Sequence, residues 1–130
     1  IFPEKVPRMR SFLHEVLRTH NNGTAFREVL KDTTLVAAGR TWHLKKGGVV
    51  NLPNSLLCAT EEIHPQADQF VPERFLDKRF GGRGENFTKT VKPFGGGVSF
   101  CPGRVFAEKQ ILAFVAALIV HYDMRVVTPG

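Results

Sequence analysis

The sequence predicts a mainly α fold with small β-sheets, an α+β architecture. Two segments have a helical pattern, one after Pro7 and a more apolar one after Gly103, and residues 35–53 between them alternate like strands. The chain has 130 residues, of which 42% are hydrophobic and 23% are charged. This length and composition are typical of one globular domain rather than of a disordered chain.

The first helix is predicted from Pro7 to Arg18. Proline is favoured in the first turn of a helix, where a backbone N–H would have no partner within the helix. The apolar residues then recur on one side of the helix: Phe12, Leu13, Val16 and Leu17. The run Asn21, Asn22, Gly23 follows and predicts the end of the helix.

Residues 35–53 predict a β-hairpin. Apolar and polar side chains alternate over residues 41–44, which is typical of a strand with one buried face. A Lys-Lys-Gly-Gly segment at 45–48 predicts the turn, and residues 49–52 predict the second strand.

The rest of the chain predicts a short helix over 56–62, which Asn54-Ser55 can cap, and then an irregular segment over 65–93. An irregular segment of this length is unusual unless other parts of the protein brace it. The last helix is predicted from Pro102-Gly103 to about His121, with a closing strand over 123–128. Residues 111–120 of this helix are apolar on every side. Such a helix needs burial on all faces, which the rest of this sequence offers little to provide, so we expect this chain to be a fragment of a larger fold.

Composition excludes several classes of function. The net charge of +6 is explained either by ordinary solubility or by a surface that binds an acidic partner. Nucleic acid is disfavoured, because one Trp and one Tyr cannot interleave stacking rings with a basic run. The two cysteines do not have zinc-finger spacing, and the apolar run 111–120 is well short of the ~20 residues that span a bilayer.

The segment 94–104, with the sequence FGGGVSFCPGR, contains the residues most able to do chemistry. Three consecutive glycines let the backbone approach a flat or bulky partner closely. Cys101 precedes a helix, where N–H groups and the helix dipole favour a thiolate. Such a cysteine is a nucleophile, a metal ligand or a buried structural residue. Because the loop offers no base, an axial ligand to a large apolar cofactor fits better than a nucleophile.

Phe94, Gly97, Cys101 and Gly103 fill the pattern F-x-x-G-x-x-x-C-x-G, which resembles the haem-binding loop of the cytochrome P-450 (haem-thiolate monooxygenase) family. Two further motifs of that family occur in order: E-x-x-R from Glu15 to Arg18, and P-E-R-F from Pro72 to Phe75. The resemblance covers nearly the whole chain but only the C-terminal third of a family member. It therefore implies that residues 1–130 are a partial haem-thiolate monooxygenase domain with an incomplete fold.

The resemblance implies a structural triad of Glu15, Arg18 and Arg74. Glu15 and Arg18 are three residues apart and therefore lie on one face of the helix. The alternative to a triad is an exposed, solvated ion pair between these two residues. In the family this pair is buried and joined by the arginine of P-E-R-F. A planar guanidinium can bridge carboxylates as Lys cannot, so Arg74 would hold the segment 65–93 against the helix.

The resemblance also implies haem b (iron protoporphyrin IX) as the cofactor. The Cys101 thiolate would ligate the iron, Phe94 would shield the sulfur, and Gly97 and Gly103 would shape the loop. Arg27 would bind a haem propionate; the alternative is a solvent-exposed strand arginine. Many members carry Arg or His two residues before the cysteine, whereas this chain has Ser99.

The implied reaction is the insertion of one oxygen atom of O₂ into a small apolar organic substrate, using electrons from an acidic reductase or ferredoxin. The oxygen-activating residues of the family lie upstream, so we expect no catalytic residue in this chain and no activity from it alone. Residues 21–26 match a substrate-facing stretch. The implied location is the cytoplasmic face of the endoplasmic reticulum, through a membrane anchor outside this chain.

Two alternatives remain open. Some haem-thiolate relatives isomerise or dehydrate oxygenated lipids and need neither O₂ nor a reductase. A non-enzymatic basic binding module, in which Cys101 is structural, is the second. We expect Cys58 to be a core residue, and the histidines have no metal-ligand spacing: His14, His20, His43, His64 and His121.

Overall fold

A computed structural model of the protein describes residues 2–76 and 90–127. Within these ranges the chain forms, in order, α1 (Phe2–Lys5), α2 (Pro7–His20), β1 (Thr24–Glu28), β2 (Thr33–Ala37), β3 (Arg40–Leu44), β4 (Val49–Pro53), α3 (Asn54–Cys58), a 3₁₀ turn (Gly97–Ser99) and α4 (Arg104–His121). Helices and two small sheets give the predicted α+β architecture. In these ranges no helix is long and apolar enough to cross a membrane.

The helix α2 confirms the prediction for its boundaries but not for its buried face. It begins at Pro7 and ends at His20, just before the asparagine–glycine run. Phe12, expected in the apolar stripe, is 49% exposed and meets the ring of Phe70 edge-on. Polar residues share the buried side with Leu13: Ser11, His14, Glu15 and Arg18. The side of α2 that faces the protein is therefore largely ionisable.

The predicted hairpin across residues 45–48 is wrong. The strand β3 pairs antiparallel with β2, through a tight turn at Ala38 and Gly39 where both φ angles are positive. The strand β4 pairs instead with β1, with Asn51 opposite Phe26. The error has a physical reason: Gly47 and Gly48 in the predicted turn hydrogen-bond to the backbone of Val29, just after β1, so β4 runs back along β1 and not along β3.

Two smaller predictions are also wrong. The helix α3 spans Asn54–Cys58 instead of 56–62, and the Asn54 side chain makes no capping hydrogen bond. Its Oδ1 instead accepts the N–H of Lys92 at 3.2 Å. Residues 123–127 of the predicted closing strand are not in a strand, since no described segment pairs with them.

The hydrophobic core that the described residues form is small and packs against α2. Cys58, Phe75 and Val91 form it, with Leu17 packed against them. Only Leu112 is buried among the residues of α4, whereas Phe106 and Phe114 are 71% and 63% exposed. The described residues thus leave most of this apolar helix uncovered, as expected from its sequence.

Candidate functional site

The carboxylate of Glu15 lies at the centre of a buried ion network. Arg18 donates to it in a bidentate manner, from Nε and Nη2, at 2.9 Å each. Arg74 donates from Nε to both carboxylate oxygens, and the backbone N–H of Val71 donates to Oε1 at 2.9 Å. Glu15 and Arg74 are 0% exposed and Arg18 is 3% exposed. The structure therefore brings the three motif residues together, and the solvated-pair alternative does not hold.

The remaining guanidinium donors of Arg18 and Arg74 reach backbone carbonyls. Five residues supply them: Cys58, Pro65, Gln66, Ala67 and Gln69. Four of these five precede Arg74 in the irregular segment. Because the two arginines bind both α2 and these carbonyls, they fix that segment to the helix and satisfy groups that would otherwise be buried and unpaired.

The charges of this network lower the pKa of Glu15. Burial alone would raise its pKa. Hydrogen bonds from Arg18, Val71 and Arg74, together with the positive charge of Arg18, outweigh that effect and bring the pKa below its ordinary value. Glu15 is therefore an anion that is paired with two cations.

The glycine loop before α4 is tight. Gly95 and Gly97 have φ angles of +78° and +62°, which L-residues with side chains rarely adopt. A Cβ at Gly95 would also lie 3.2 Å from the carbonyl oxygen of Ser99. The Cys101 N–H donates to the carbonyl oxygen of Phe94 at 3.0 Å, which closes the loop.

Cys101 lies exposed at the end of this loop, three residues before α4 begins. Arg104 fixes the backbone there, because its Nη1 donates to the Cys101 carbonyl oxygen at 3.1 Å. The same guanidinium lies 4.0 Å above the ring of Phe100. A Cβ at Gly103 would lie 3.8 Å from the Cys101 Sγ, in ordinary van der Waals contact, so Gly103 lies directly beside the sulfur.

Arg27 lies on β1 and reaches the glycine loop. Its Nη2 donates to the carbonyl oxygen of Gly96 at 3.3 Å, and its Nη1 to the carbonyl oxygen of Phe26 at 2.8 Å. The side chain is exposed. Arg27 is thus an exposed strand residue, as one alternative expected, and it also lies beside the loop that contains Cys101.

Sequence reasoning missed a second ion network, between α2 and α4. Arg10 Nε donates to Glu108 Oε1 at 2.6 Å, and His14 Nε2 lies 3.3 Å from the same oxygen. The hydrogen bond with His14 is the main reason that the pKa of Glu108 is lowered to about 2. The hydrogen bond and charge of Arg10 lower the pKa further, whereas burial of the carboxylate acts in the opposite direction. These residues line a cavity of about 480 Å³ together with Phe94 and the glycine loop. No local pattern signals a contact between residues so far apart in sequence.

The residues present fit a haem. Among the described residues, no three His, Cys, Asp or Glu side chains could hold a metal together. A single exposed thiolate, such as that of Cys101, is the kind of protein ligand by which a haem is held. A Cβ at Gly96 or Gly97 would meet nothing within 4 Å, so the backbone is open to a flat partner there.

Comparison with known proteins agrees with the motifs. The family model described as Cytochrome P450 matches residues 4–129. A cytochrome P450 monooxygenase of Penicillium oxalicum is 51% identical over 128 residues, which are 98% of this chain and 26% of that protein. The human 7-alpha-hydroxycholest-4-en-3-one 12-alpha-hydroxylase is 33% identical, with 97% of this chain and 27% of that protein covered.

A solved structure shows the same fold. The retinoic acid-bound cyanobacterial CYP120A1 superposes with a TM-score of 0.78 at 30% identity, over 98% of this chain and 28% of that chain. The chain thus spans about a quarter of the length of these relatives. The fold, the family match and the relatives agree: the chain belongs to the cytochrome P450 family.

Proposed function

We propose that this chain forms the thiolate side of the haem site of a monooxygenase, and that Cys101 ligates the iron of haem b. The observation that carries the proposal is the position of Cys101, exposed between an open glycine loop and the start of α4. A haem with a thiolate ligand favours cleavage of the O–O bond of bound dioxygen. Relatives named as cytochrome P450 monooxygenases support this reaction class.

The chain's own residues would hold and tune the cofactor. With haem bound, the Cys101 sulfur would donate electron density to the iron, and Phe94, whose carbonyl oxygen accepts the Cys101 N–H, would shield that sulfur from water. Gly97 and Gly103 would keep the backbone close, and Arg27 would bind a propionate by a charge-assisted hydrogen bond. Glu15, Arg18 and Arg74 act at a distance, by fixing the segment that precedes the loop.

The substrate we propose is a small apolar organic molecule, oxidised with electrons from an acidic reductase or ferredoxin. A relative from Fusarium oxysporum, 32% identical over 97% of this chain, is named as a bifunctional cytochrome P450/NADPH–P450 reductase. The net charge of +6 suits an acidic donor. We place the full-length protein at the cytoplasmic face of the endoplasmic reticulum, through an anchor outside these residues.

The test is a reduced, carbon monoxide difference spectrum of the full-length protein. We expect a strongly red-shifted Soret band, which thiolate ligation produces. Cys101→Ser should abolish this band, whereas the matched control Cys58→Ser, at the other cysteine, should keep it. A red-shifted band that survives in Cys101→Ser would refute the assignment of the iron ligand.

A second measurement tests the reaction type. A monooxygenase needs both O₂ and a reductant, so turnover should stop when either is omitted. Turnover of a lipid hydroperoxide or endoperoxide without reductant would instead identify a haem-thiolate isomerase or dehydratase. Purification of the full-length protein without haem would favour the non-enzymatic alternative.

A further inference from the structure

The carbonyl oxygen of Cys101 lies just before the backbone hydrogen bonds of α4. The bond that closes the start of this helix runs from the Ala107 N–H to the Gly103 carbonyl oxygen, at 2.9 Å. Pro102 lies between Cys101 and Gly103 and has no backbone N–H to donate. Within the part of the chain that the structure describes, the donor to the Cys101 carbonyl oxygen is a side chain, that of Arg104, at 3.1 Å.

The guanidinium of Arg104 is held at two points beside Cys101. One is the hydrogen bond to the carbonyl oxygen, and the other is the ring of Phe100, whose centroid lies 4.0 Å from the guanidinium carbon. Phe100 is itself fixed, because its N–H donates to the Gly97 carbonyl oxygen at 3.2 Å. The Arg104 side chain is only partly exposed. Its charge therefore has a defined place next to the backbone of Cys101.

Glu108, one turn further along α4, is the carboxylate with which Arg104 could have paired. Residues four apart lie on the same face of a helix, and both residues line the cavity of about 480 Å³. The Glu108 carboxylate is engaged by α2 instead, with Arg10 at 2.6 Å and His14 at 3.3 Å. Because α2 supplies these partners, the Arg104 guanidinium stays at Cys101.

A cation fixed at this position acts on a ligand sulfur electrostatically. Nearby positive charge stabilises a thiolate, and so weakens the donation of electron density from the sulfur to a metal. Reduction of a ligated iron adds one negative charge to the site, which a nearby cation also stabilises. Solvent screens part of this effect, because the side chain is partly exposed.

We propose that Arg104 is a positioning residue for the thiolate, which holds the Cys101 backbone from the helix side and, through its charge, raises the reduction potential of the iron that Cys101 ligates. The inference rests on the proposed function. The Cys101 N–H is held from the loop side, by the Phe94 carbonyl oxygen at 3.0 Å. Both backbone polar groups of Cys101 are thus fixed, one by the glycine loop and the other by α4.

The test is a redox titration of the full-length holoprotein, without substrate, against a dye of known potential. Arg104→Met removes the charge and the donor but keeps an unbranched side chain. At equilibrium with the dye, the ratio of ferrous to ferric protein should fall at least about threefold, which is a shift of about 28 mV for a one-electron couple. The matched control Lys109→Met removes the same charge from an exposed position on α4 and should leave the ratio unchanged.

Arg104→Lys separates the charge from the rest of the side chain. It keeps a cation at this position, so the ratio of ferrous to ferric protein should return close to the wild-type value. A lysine variant with the same ratio as Arg104→Met would overturn the electrostatic inference. An equal ratio in wild type and Arg104→Met would overturn it as well.

The carbon monoxide spectrum separates this inference from the proposed function. The potential is measured on protein that keeps the red-shifted band, so that loss of haem or of thiolate ligation is not counted as a shift. If Arg104→Met does not accumulate as holoprotein, Arg104→Gln removes the same charge, keeps a donor for the carbonyl and is held to the same threefold criterion. Absence of the band from wild type defeats the proposed function, whereas its presence with an unshifted potential in the variant defeats only this inference.

Discussion

Arg74 donates its Nε–H to both carboxylate oxygens of Glu15, at 3.0 Å each, across 59 residues of sequence. Both side chains are fully buried. Buried charges are tolerated only when paired and hydrogen-bonded, and here the backbone N–H of Val71 and the guanidinium of Arg18 complete the shell of the carboxylate. The contact joins α2 to the segment that leads towards the glycine loop.

The first prediction concerns removal of this carboxylate. Glu15→Ala leaves two buried arginines without their anion, which should lower the free energy of unfolding by about 3–5 kcal/mol. We expect the full-length variant to fail to incorporate haem. Haem content per protein and the urea midpoint measure both effects.

The matched control is Glu73→Ala. Glu73 also pairs with an arginine, Arg8, at 2.8 Å, but both side chains are exposed. Exposed pairs contribute about 0–1 kcal/mol, so this variant should retain haem. Normal haem content in Glu15→Ala would contradict the structural role of the triad.

The second prediction concerns the shape of the bridging cation. Arg74→Lys keeps the charge but loses the fork that reaches Glu15 and the backbone carbonyls of Pro65, Gln66 and Gln69 at once. We expect a loss of at least ~2 kcal/mol, because buried acceptors are left unpaired. The segment 65–75 should also become sensitive to limited proteolysis. Arg8→Lys, at the exposed pair, is the control, and equal proteolysis of the two variants would count against the prediction.

Local patterns predicted the two long helices, α2 and α4, because helix periodicity and end signals lie within a few residues of each other. Pro7 and the run after His20 bound α2 as expected. Strand pairing depends on contacts between distant segments, and here it failed. Nothing near Val49 indicates that β4 pairs with β1 rather than β3.

The candidate site shows the same contrast between residues that a local motif predicts and residues whose partners lie far away in the sequence. Motifs of known spacing named Glu15, Arg18 and Arg74 as a group, and the structure places them in hydrogen-bond contact. Asn54 and Glu108 belong to no motif, and their partners lie 38 and 98 residues away. Three-dimensional structure was needed to find them, because a single Asn or Glu outside any motif is usually an ordinary exposed residue.

The third prediction concerns acid stability and Glu108. Its pKa falls from 4.5 to about 2 in the folded protein, first through the hydrogen bond with His14 and then through Arg10. A depressed carboxyl pKa stabilises the fold at pH values above the unfolded pKa, and this contribution is lost as the pH falls through the folded pKa. Glu108→Gln should therefore destabilise the protein by about 1–2 kcal/mol at pH 7, since Arg10 is partly exposed.

The difference between wild type and Glu108→Gln should shrink as the pH falls from about 4.5 towards 2. Urea denaturation of the full-length protein at several pH values measures it. The exposed Glu62, changed to Gln, is the control and should show no such convergence. A constant difference between pH 7 and pH 3 would show that the charge of Glu108 is not what stabilises the contact between α2 and α4.

The fourth prediction concerns His64, which lies 3% exposed beside the ring of Phe75. Burial and the nearby charges of Arg18 and Arg74 lower its pKa from 6.5 to about 4. The unfolded chain therefore binds a proton between these pH values that the folded chain does not. Stability should fall as the pH drops through this range, by about 1.4 kcal/mol per pH unit for this group.

His64→Gln removes the titrating ring and should flatten the stability profile of the full-length protein between pH 6.5 and about 4. His121→Gln, at the exposed end of α4, is the matched control and should leave the slope unchanged. An unaltered slope in His64→Gln would mean that His64 takes up a proton in the folded state. A third cation would then lie beside Arg18 and Arg74 and add to the excess positive charge around the single Glu15 carboxylate, so the measurement also tests the electrostatics of the triad.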